Sequence, residues 1–254
     1  VWFAVAVPGN YWLNVANGGS TAVAIQSLGS CSGNTCTAAA DDSIWWQNTS
    51  SSAATAYIVV EGDGVTTGEL DLSFTRQTAP PEVVLGDGTT TSYVPFYINW
   101  DYSYSQTIYS AADLYAGQIR EIGWQYNGAT ERTESLNIYM GHTTKTAFAS
   151  TSDYVPVSGL TLVYSGSTTF PATAGWAYIE LDTPFSYNGT DNLVVAVDCN
   201  TNNWTSGPGF YVTESSGNQS VYYYQDDVDV TPSSPTSASY LGTLAYFPNV
   251  TFRY

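Results

Sequence analysis

The chain has 254 residues and a formal net charge of −17, with 22 acidic side chains against only Arg76, Arg120, Arg132, Lys145 and Arg253, and His142 is its one histidine. Nucleic acids and anionic membrane surfaces bind through clustered Lys and Arg, so this balance argues against both as partners. General acid–base and nucleophilic catalysis find few of their usual groups here.

Charged residues are 11% of the chain, under half of the usual share of about a quarter; Ser, Thr, Asn, Gly and Tyr take their place. The 8 Trp, 21 Tyr and 9 Phe, with many β-branched residues, suit pleated, half-buried surfaces. No apolar run reaches the roughly 18 residues of a membrane-spanning helix, so no membrane insertion is expected.

In chain order, Val1-Trp2-Phe3-Ala4-Val5-Ala6-Val7 alternates like the middle of a strand. With no initiating Met and no leader ahead of it, the chain is expected to be a mature or excised portion of a longer precursor. Further strands are expected at 11–16, 21–28, 53–60 and 68–75, broken by Pro8-Gly9-Asn10, Asn17-Gly18-Gly19 and Glu61-Gly62-Asp63-Gly64. Residues 1–76 are thus predicted to form a small antiparallel sandwich. Residues 77–85, with Pro80-Pro81, read as a stiff linker. Residues 86–254 read as a larger sandwich with strands at 117–126, 135–140, 161–168, 177–181, 192–198, 209–213, 220–225 and 249–254. Single helical turns are expected at 110–114 and 146–150. The expected fold class is all-β, two antiparallel β-sandwich domains of jelly-roll or Greek-key type in tandem.

Cys31 and Cys36 enclose a turn-forming Gly-Asn and are placed for a local hairpin disulfide, which implies an oxidising, extracytoplasmic setting. A zinc site would need more Cys or His partners than the chain supplies. Cys199 ends an apolar strand and reads as a buried free thiol.

Two resemblances extend this reading. Val1-Trp2-Phe3-Ala4-Val5-Ala6-Val7-Pro8, Gly29-Ser30-Cys31, Asp41-Asp42 and Gly68-Glu69-Leu70-Asp71-Leu72-Ser73-Phe74 resemble the later part of a pre-peptidase C-terminal domain, a β-sandwich found beside secreted bacterial enzymes and adhesins. Residues 86–254 resemble a β-sandwich module of very large secreted Bacteroidota proteins, often found with a type IX secretion signal. That likeness rests on Tyr104-Ser105-Gln106-Thr107-Ile108-Tyr109, Gly117-Gln118-Ile119, Leu136-Asn137-Ile138-Tyr139-Met140-Gly141-His142-Thr143, Val163-Tyr164-Ser165-Gly166, Leu181-Asp182-Thr183-Pro184-Phe185-Ser186-Tyr187 and Asn188-Gly189-Thr190-Asp191-Asn192-Leu193-Val194-Val195. The resemblances imply a secreted, surface-associated protein without catalytic activity. His142, inside one of these motifs, is expected to be a hydrogen-bonded turn residue. Asp42-Ser43-Ile44 resembles a Bacteroidota O-glycosylation site at Ser43.

Asp198, Asn200 and Asn202 place oxygens at alternate positions, as a calcium loop begins. Asn203 then stands where such a loop has Gly, and Gly209 where it has its bidentate acid. Structural Ca²⁺ is therefore the one cofactor considered, with an ordinary polar turn as the alternative. Trp45, Trp46, Trp100 and Trp204 are candidates for stacking on glycans, Trp100 with Tyr102 and Tyr104, beside Tyr222-Tyr223-Tyr224; the alternative is that they serve cores or subunit contacts.

The expected function is a non-catalytic structural or adhesive protein of a bacterial cell surface, with copies of itself or neighbouring domains as partners. The first sandwich lacks strands that usually precede its opening one, which leaves a sheet edge for a donor strand from a neighbouring copy and suggests a repeating subunit of an extracellular fibre. The alternative is a carbohydrate-binding accessory module of a secreted hydrolase or protease, with glycans as partners.

Overall fold

The structure, a computed structural model, describes residues 2–9, 11–17, 23–28, 36–41, 43–48, 52–62, 71–77, 82–128, 131–202, 209–229 and 231–254. They form antiparallel β-sheets with only single 3-10 turns between them, and they fall into two units, Val1–Pro81 and Glu82–Tyr254.

The first unit contains β1 (Trp2–Val7), β2 (Trp12–Asn17), β3 (Val23–Leu28), β4 (Cys36–Asp41), β5 (Ser43–Gln47), β6 (Ala54–Gly62) and β7 (Leu72–Gln77). Its two sheets run β1-β6-β3-β4 and β5-β2-β7. Period-2 alternation turns Val5 and Val7, Leu13 and Val15, Ile44, and Ala56, Ile58 and Val60 into one core fed by both sheets. Leu13 and Val15 lie opposite Trp46 and Ile44 on one side and Arg76 and Phe74 on the other. Phe3 and Phe74 meet at 5.5 Å. Asn48 is buried, and its amide donates to the carbonyls of Val7 and Ser52, each at 2.9 Å. Among the described residues β1 pairs with β6 alone, which places it at a sheet edge; the Arg76 guanidinium donates to its Ala6 carbonyl at 2.7 Å. β4 and β5 have no counterpart among the expected strands.

The second unit contains β8 (Glu82–Leu85), β9 (Thr90–Ser92), β10 (Tyr102–Tyr109), β11 (Gly117–Tyr126), β12 (Arg132–Thr143), β13 (Thr161–Phe170), β14 (Gly175–Tyr187), β15 (Asn192–Cys199), β16 (Phe210–Glu214), β17 (Ser220–Gln225), β18 (Tyr240–Leu244), β19 (Tyr246–Pro248) and β20 (Val250–Arg253). One sheet runs β13-β12-β15-β10-β17-β18. The other runs β19-β16-β11-β20-β8, with β14 on β11 and β9 on β16. Non-consecutive neighbours such as β15-β10-β17 mean crossovers between the sheets instead of a simple meander. The core between the sheets takes Leu136, Ile138 and Met140, Leu193, Val195 and Val197 from one, and Ile119, Ile122, Trp124, Phe210, Val250 and Phe252 from the other.

β15 is buried on both faces. Its outer face is covered by segment 144–160, whose Phe148, Tyr154 and Val155 pack on Ile108, Val221, Tyr104 and Tyr223. Gln106 holds this cover in place: its amide donates to the Val155 carbonyl and accepts from the Val155 N–H, both at 2.7 Å.

Three expectations differ from the structure. Residues 82–85, expected in the linker, form β8 on β20, because Val83 is buried in the core and Glu82 bonds to Thr251 and Arg253. β10, the strand between β15 and β17, was not expected. Residues 146–150 form no helical turn: Phe148 is pulled into the cover, its N–H donating to the Asn218 carbonyl at 2.8 Å, and Ala149 N–H donates to the Asp153 carboxylate. The turn expected at 110–114 is present as a 3-10 turn, Ala111–Asp113, capped by the Ser110 hydroxyl.

Candidate functional site

Between β9 and β10, residues 93–98 alternate. Val94, Phe96 and Ile98 enter the interior, while Tyr93 and Tyr97 face the other way. The hydroxyls of Ser103 and Ser105 on β10 fasten this segment, one accepting from Tyr97 N–H and the other donating to the Pro95 carbonyl. On β17, Tyr222 and Tyr224 lie opposite Ser105 and Ser103 and face the same segment. β18 adds Tyr240, opposite Tyr224.

The result is a continuous cluster of Tyr93, Tyr97, Trp100, Tyr222, Tyr224 and Tyr240. Tyr224 is its hub, with ring centroids 4.8 Å from Trp100, 4.9 Å from Tyr97, 5.4 Å from Tyr240 and 5.6 Å from Tyr222. Tyr222 and Tyr240 lie within 7° and 15° of its plane. The rims are open: Tyr93 is 37% exposed and Tyr240 50%. Tyr222 lies over Gly242, where a Cβ would come within 2.3 Å of its hydroxyl, so only glycine leaves the ring this place. Burial raises the pKa of Tyr222 and Tyr224, with neighbouring phenols adding to it, so the surface stays uncharged at neutral pH.

Three of the five cations form ion pairs away from this cluster. Arg132 pairs with Glu134, Lys145 with Asp153, and Arg253 with Glu82 and Glu121 while lying 3.8 Å over the Tyr178 ring. Beside the cluster, Asp101 N–H donates to the Asp226 carboxylate at 3.1 Å. Two clefts of about 270 Å³ open elsewhere in the unit, one at Tyr109 and Phe247 and one at Tyr154 and Pro235. Neither brings together charged groups suited to a reaction.

Of the tryptophans expected to stack on ligands, Trp100 joins this cluster. Trp45 and Trp46 lie in the first unit, both half-buried; Trp46 packs on its core and Trp45 stands opposite Asn14. Trp204 lies outside the described residues, as do Cys31, and with it the expected disulfide to Cys36, and the Ser43 side chain. Tyr104 and Tyr223, expected beside the stacking tryptophans, are instead buried together against Ala196, and Tyr93, Tyr97 and Tyr240 were not singled out in the sequence. Cys199 is a buried free thiol, its pKa pushed up by burial and by Glu134. His142, expected in a turn, lies within β12, next to its last residue; it accepts from Asn188 N–H at 3.1 Å and stacks on Tyr187.

Asp198 and Asn200, two of the three expected calcium ligands, lie together. Asp198 is 4% exposed; its Oδ2 accepts from Asn200 at 2.9 Å and from Asn137 at 3.3 Å. Asp198 Oδ1 and Asn200 Oδ1 are both buried without a partner. Asn202 does not join them: it is exposed, with φ 49°, and its N–H donates to the Asp101 carbonyl. The described residues contain no group of three His, Cys, Asp or Glu side chains that could hold a metal.

Burial pushes the Asp198 pKa up to about 6; the amides of Asn200 and Asn137 oppose this, and the charge of Asp229 adds to it. The phenols of Tyr104, Tyr139 and Tyr223 complete its electrostatic surroundings. An unfolded Asp titrates near pH 3.9, so the folded state binds this proton more tightly. The group's stabilising contribution is therefore complete below about pH 4 and is lost as pH rises to about 6. In excess chelator, Asp198→Asn is expected to melt a few degrees above wild type at pH 7.5 and to lose that advantage at pH 4, as read by calorimetry.

Compared with known protein families, with curated proteins and with solved structures, the chain shows no match.

Proposed function

We propose that the chain is a non-catalytic, extracellular adhesive module of a bacterial cell surface that binds a neutral polysaccharide on the aromatic cluster of its second unit. The cluster itself carries this reading. Each Tyr or Trp ring offers a flat apolar face with a polar edge, and a pyranose offers the complement, a C–H face rimmed by hydroxyls. Stacked and edge-on rings about Tyr224, open at Tyr93 and Tyr240, give several such faces side by side. The uncharged phenols and the neighbouring Asp101 and Asp226 favour a neutral ligand over an anionic one. The resemblance of residues 86–254 to modules of large secreted proteins supports a surface setting. An accessory role beside a secreted hydrolase or protease would use the same surface. Glycan arrays and pull-down on insoluble polysaccharides, using the full chain, are expected to find binding to neutral glycans. Absence of binding across both ends the carbohydrate reading.

A second reading, self-assembly by strand addition, is favoured by the edge position of β1, whose one pairing among the described residues is to β6. Backbone groups on its outer side are a template for an added strand. Light scattering is then expected to show a mass that rises with concentration beyond a dimer, since head-to-tail contacts do not close. A constant monomer mass would reject it.

A further inference from the structure

We propose that Asp198 and Asn200 supply the protein oxygens of a divalent-cation site of the calcium type where β15 ends, with Asp229 of the segment after β17 adding its negative charge to that site. Two facts independent of the acidity point to a ligand. Asp198 is 4% exposed, yet one of its carboxylate oxygens, Oδ1, has no hydrogen-bond donor; the buried Oδ1 of Asn200 has none either. A buried carboxylate oxygen without a partner is costly, and Asn137 and Asn200 spend their amide N–H groups on the other oxygen, Oδ2. That arrangement turns Oδ2 toward donors and leaves Oδ1 for a different kind of partner.

Among the described residues no salt bridge reaches Asp198. Arg132, Lys145 and Arg253 are held by Glu134, Asp153, Glu82 and Glu121. Instead Asp229 brings a second negative charge close enough to act on both Asp198 and Tyr223. Like charges gathered around unpartnered oxygens, with amide oxygen beside them, are the donor set of a hard cation. Asp229 is exposed, which leaves a water-facing side for entry and for water ligands. Ca²⁺, which accepts six to eight oxygens in flexible geometry, suits this mixture of carboxylate, amide and water better than Mg²⁺, which demands a near-ideal octahedron. Two carboxylates are few for such a site, so the affinity falls in the weak class of extracellular modules, a Kd of about 10⁻⁴–10⁻³ M. Binding would draw Asp229, in the segment after β17, toward the end of β15, and it does not depend on the carbohydrate reading.

The test is thermal melting of the full chain at pH 7.5 with 1 mM chelator or about 10 mM Ca²⁺, together with calorimetric titration of Ca²⁺. At that excess over the expected Kd, Ca²⁺ should raise the melting temperature by about 3–10 °C. Asp198→Asn should abolish the Ca²⁺ response while still melting cooperatively, and Asp229→Asn, on an exposed position, should abolish or strongly weaken it. An unchanged wild-type melting temperature overturns the proposal. So does a Ca²⁺ response that survives both substitutions, since general screening of a chain of charge −17 would persist in them. An equal gain from Mg²⁺ likewise counts against a calcium-type site.

Discussion

Glu134→Ala is expected to lower the stability of the second unit by about 3–5 kcal/mol, seen by calorimetry of the full chain as a fall of about 10 °C in the transition that carries it. Glu134 and Arg132 are two positions apart on β12 and face the interior together, 1% and 8% exposed. One carboxylate oxygen meets Arg132 Nε at 2.5 Å; the other accepts from the Thr201 hydroxyl and the Cys199 thiol. Alanine removes all three interactions and leaves the guanidinium buried without its countercharge, which is the costly half of breaking an internal ion pair. Glu134→Gln keeps an acceptor and the shape, so its loss should be smaller. The double variant Arg132→Met, Glu134→Leu should recover most of the loss, because apolar residues of similar size carry no desolvation penalty. If the double variant is as unstable as Glu134→Ala, packing and not charge sets the cost.

The same pair shows what sequence reading misses. Two charges at inward positions of a strand break the apolar alternation that marks β12 and hide its first three residues: expectation began the strand at 135, and the structure begins it at Arg132. β11 and β17 were legible to their ends, because Gly and Ser punctuate runs with clear alternation. β10 was not. Its inward Ser103, Ser105 and Thr107 bond to the 93–98 segment and to Ser220, and its outward Gln106 bonds to Val155. A strand between two others whose partners are backbone groups brought in from far along the chain carries no apolar period of its own. The candidate site was half legible for the same reason. Trp100 and the Tyr222-Tyr224 run stood out as aromatic, but Tyr93, Tyr97 and Tyr240 acquire meaning only when β17 pairs with both β10 and β18.

That assembly makes the second large effect specific to Tyr224. Tyr224→Ala is expected to weaken binding of a neutral polysaccharide on the order of 100-fold, about 3 kcal/mol, as central interface aromatics do when truncated. Tyr224 touches Tyr93, Tyr97, Trp100, Tyr222 and Tyr240, so its loss removes one face and frees five others to reorient. Tyr240→Ala and Trp100→Ala each remove a peripheral face and should cost about tenfold. Tyr224→Phe separates stacking from hydrogen bonding: retained affinity assigns the energy to the ring face, and a loss near that of alanine assigns it to the hydroxyl. Because Tyr240 is half exposed, Tyr240→Ala should leave the melting temperature nearly unchanged, which keeps a binding defect distinct from a folding one. Affinity electrophoresis in gels containing the polysaccharide measures each step. If Tyr240→Ala and Trp100→Ala bind as wild type while Tyr224→Ala merely melts earlier, the rings are a structural cover for the β17–β18 edge and the ligand surface lies elsewhere.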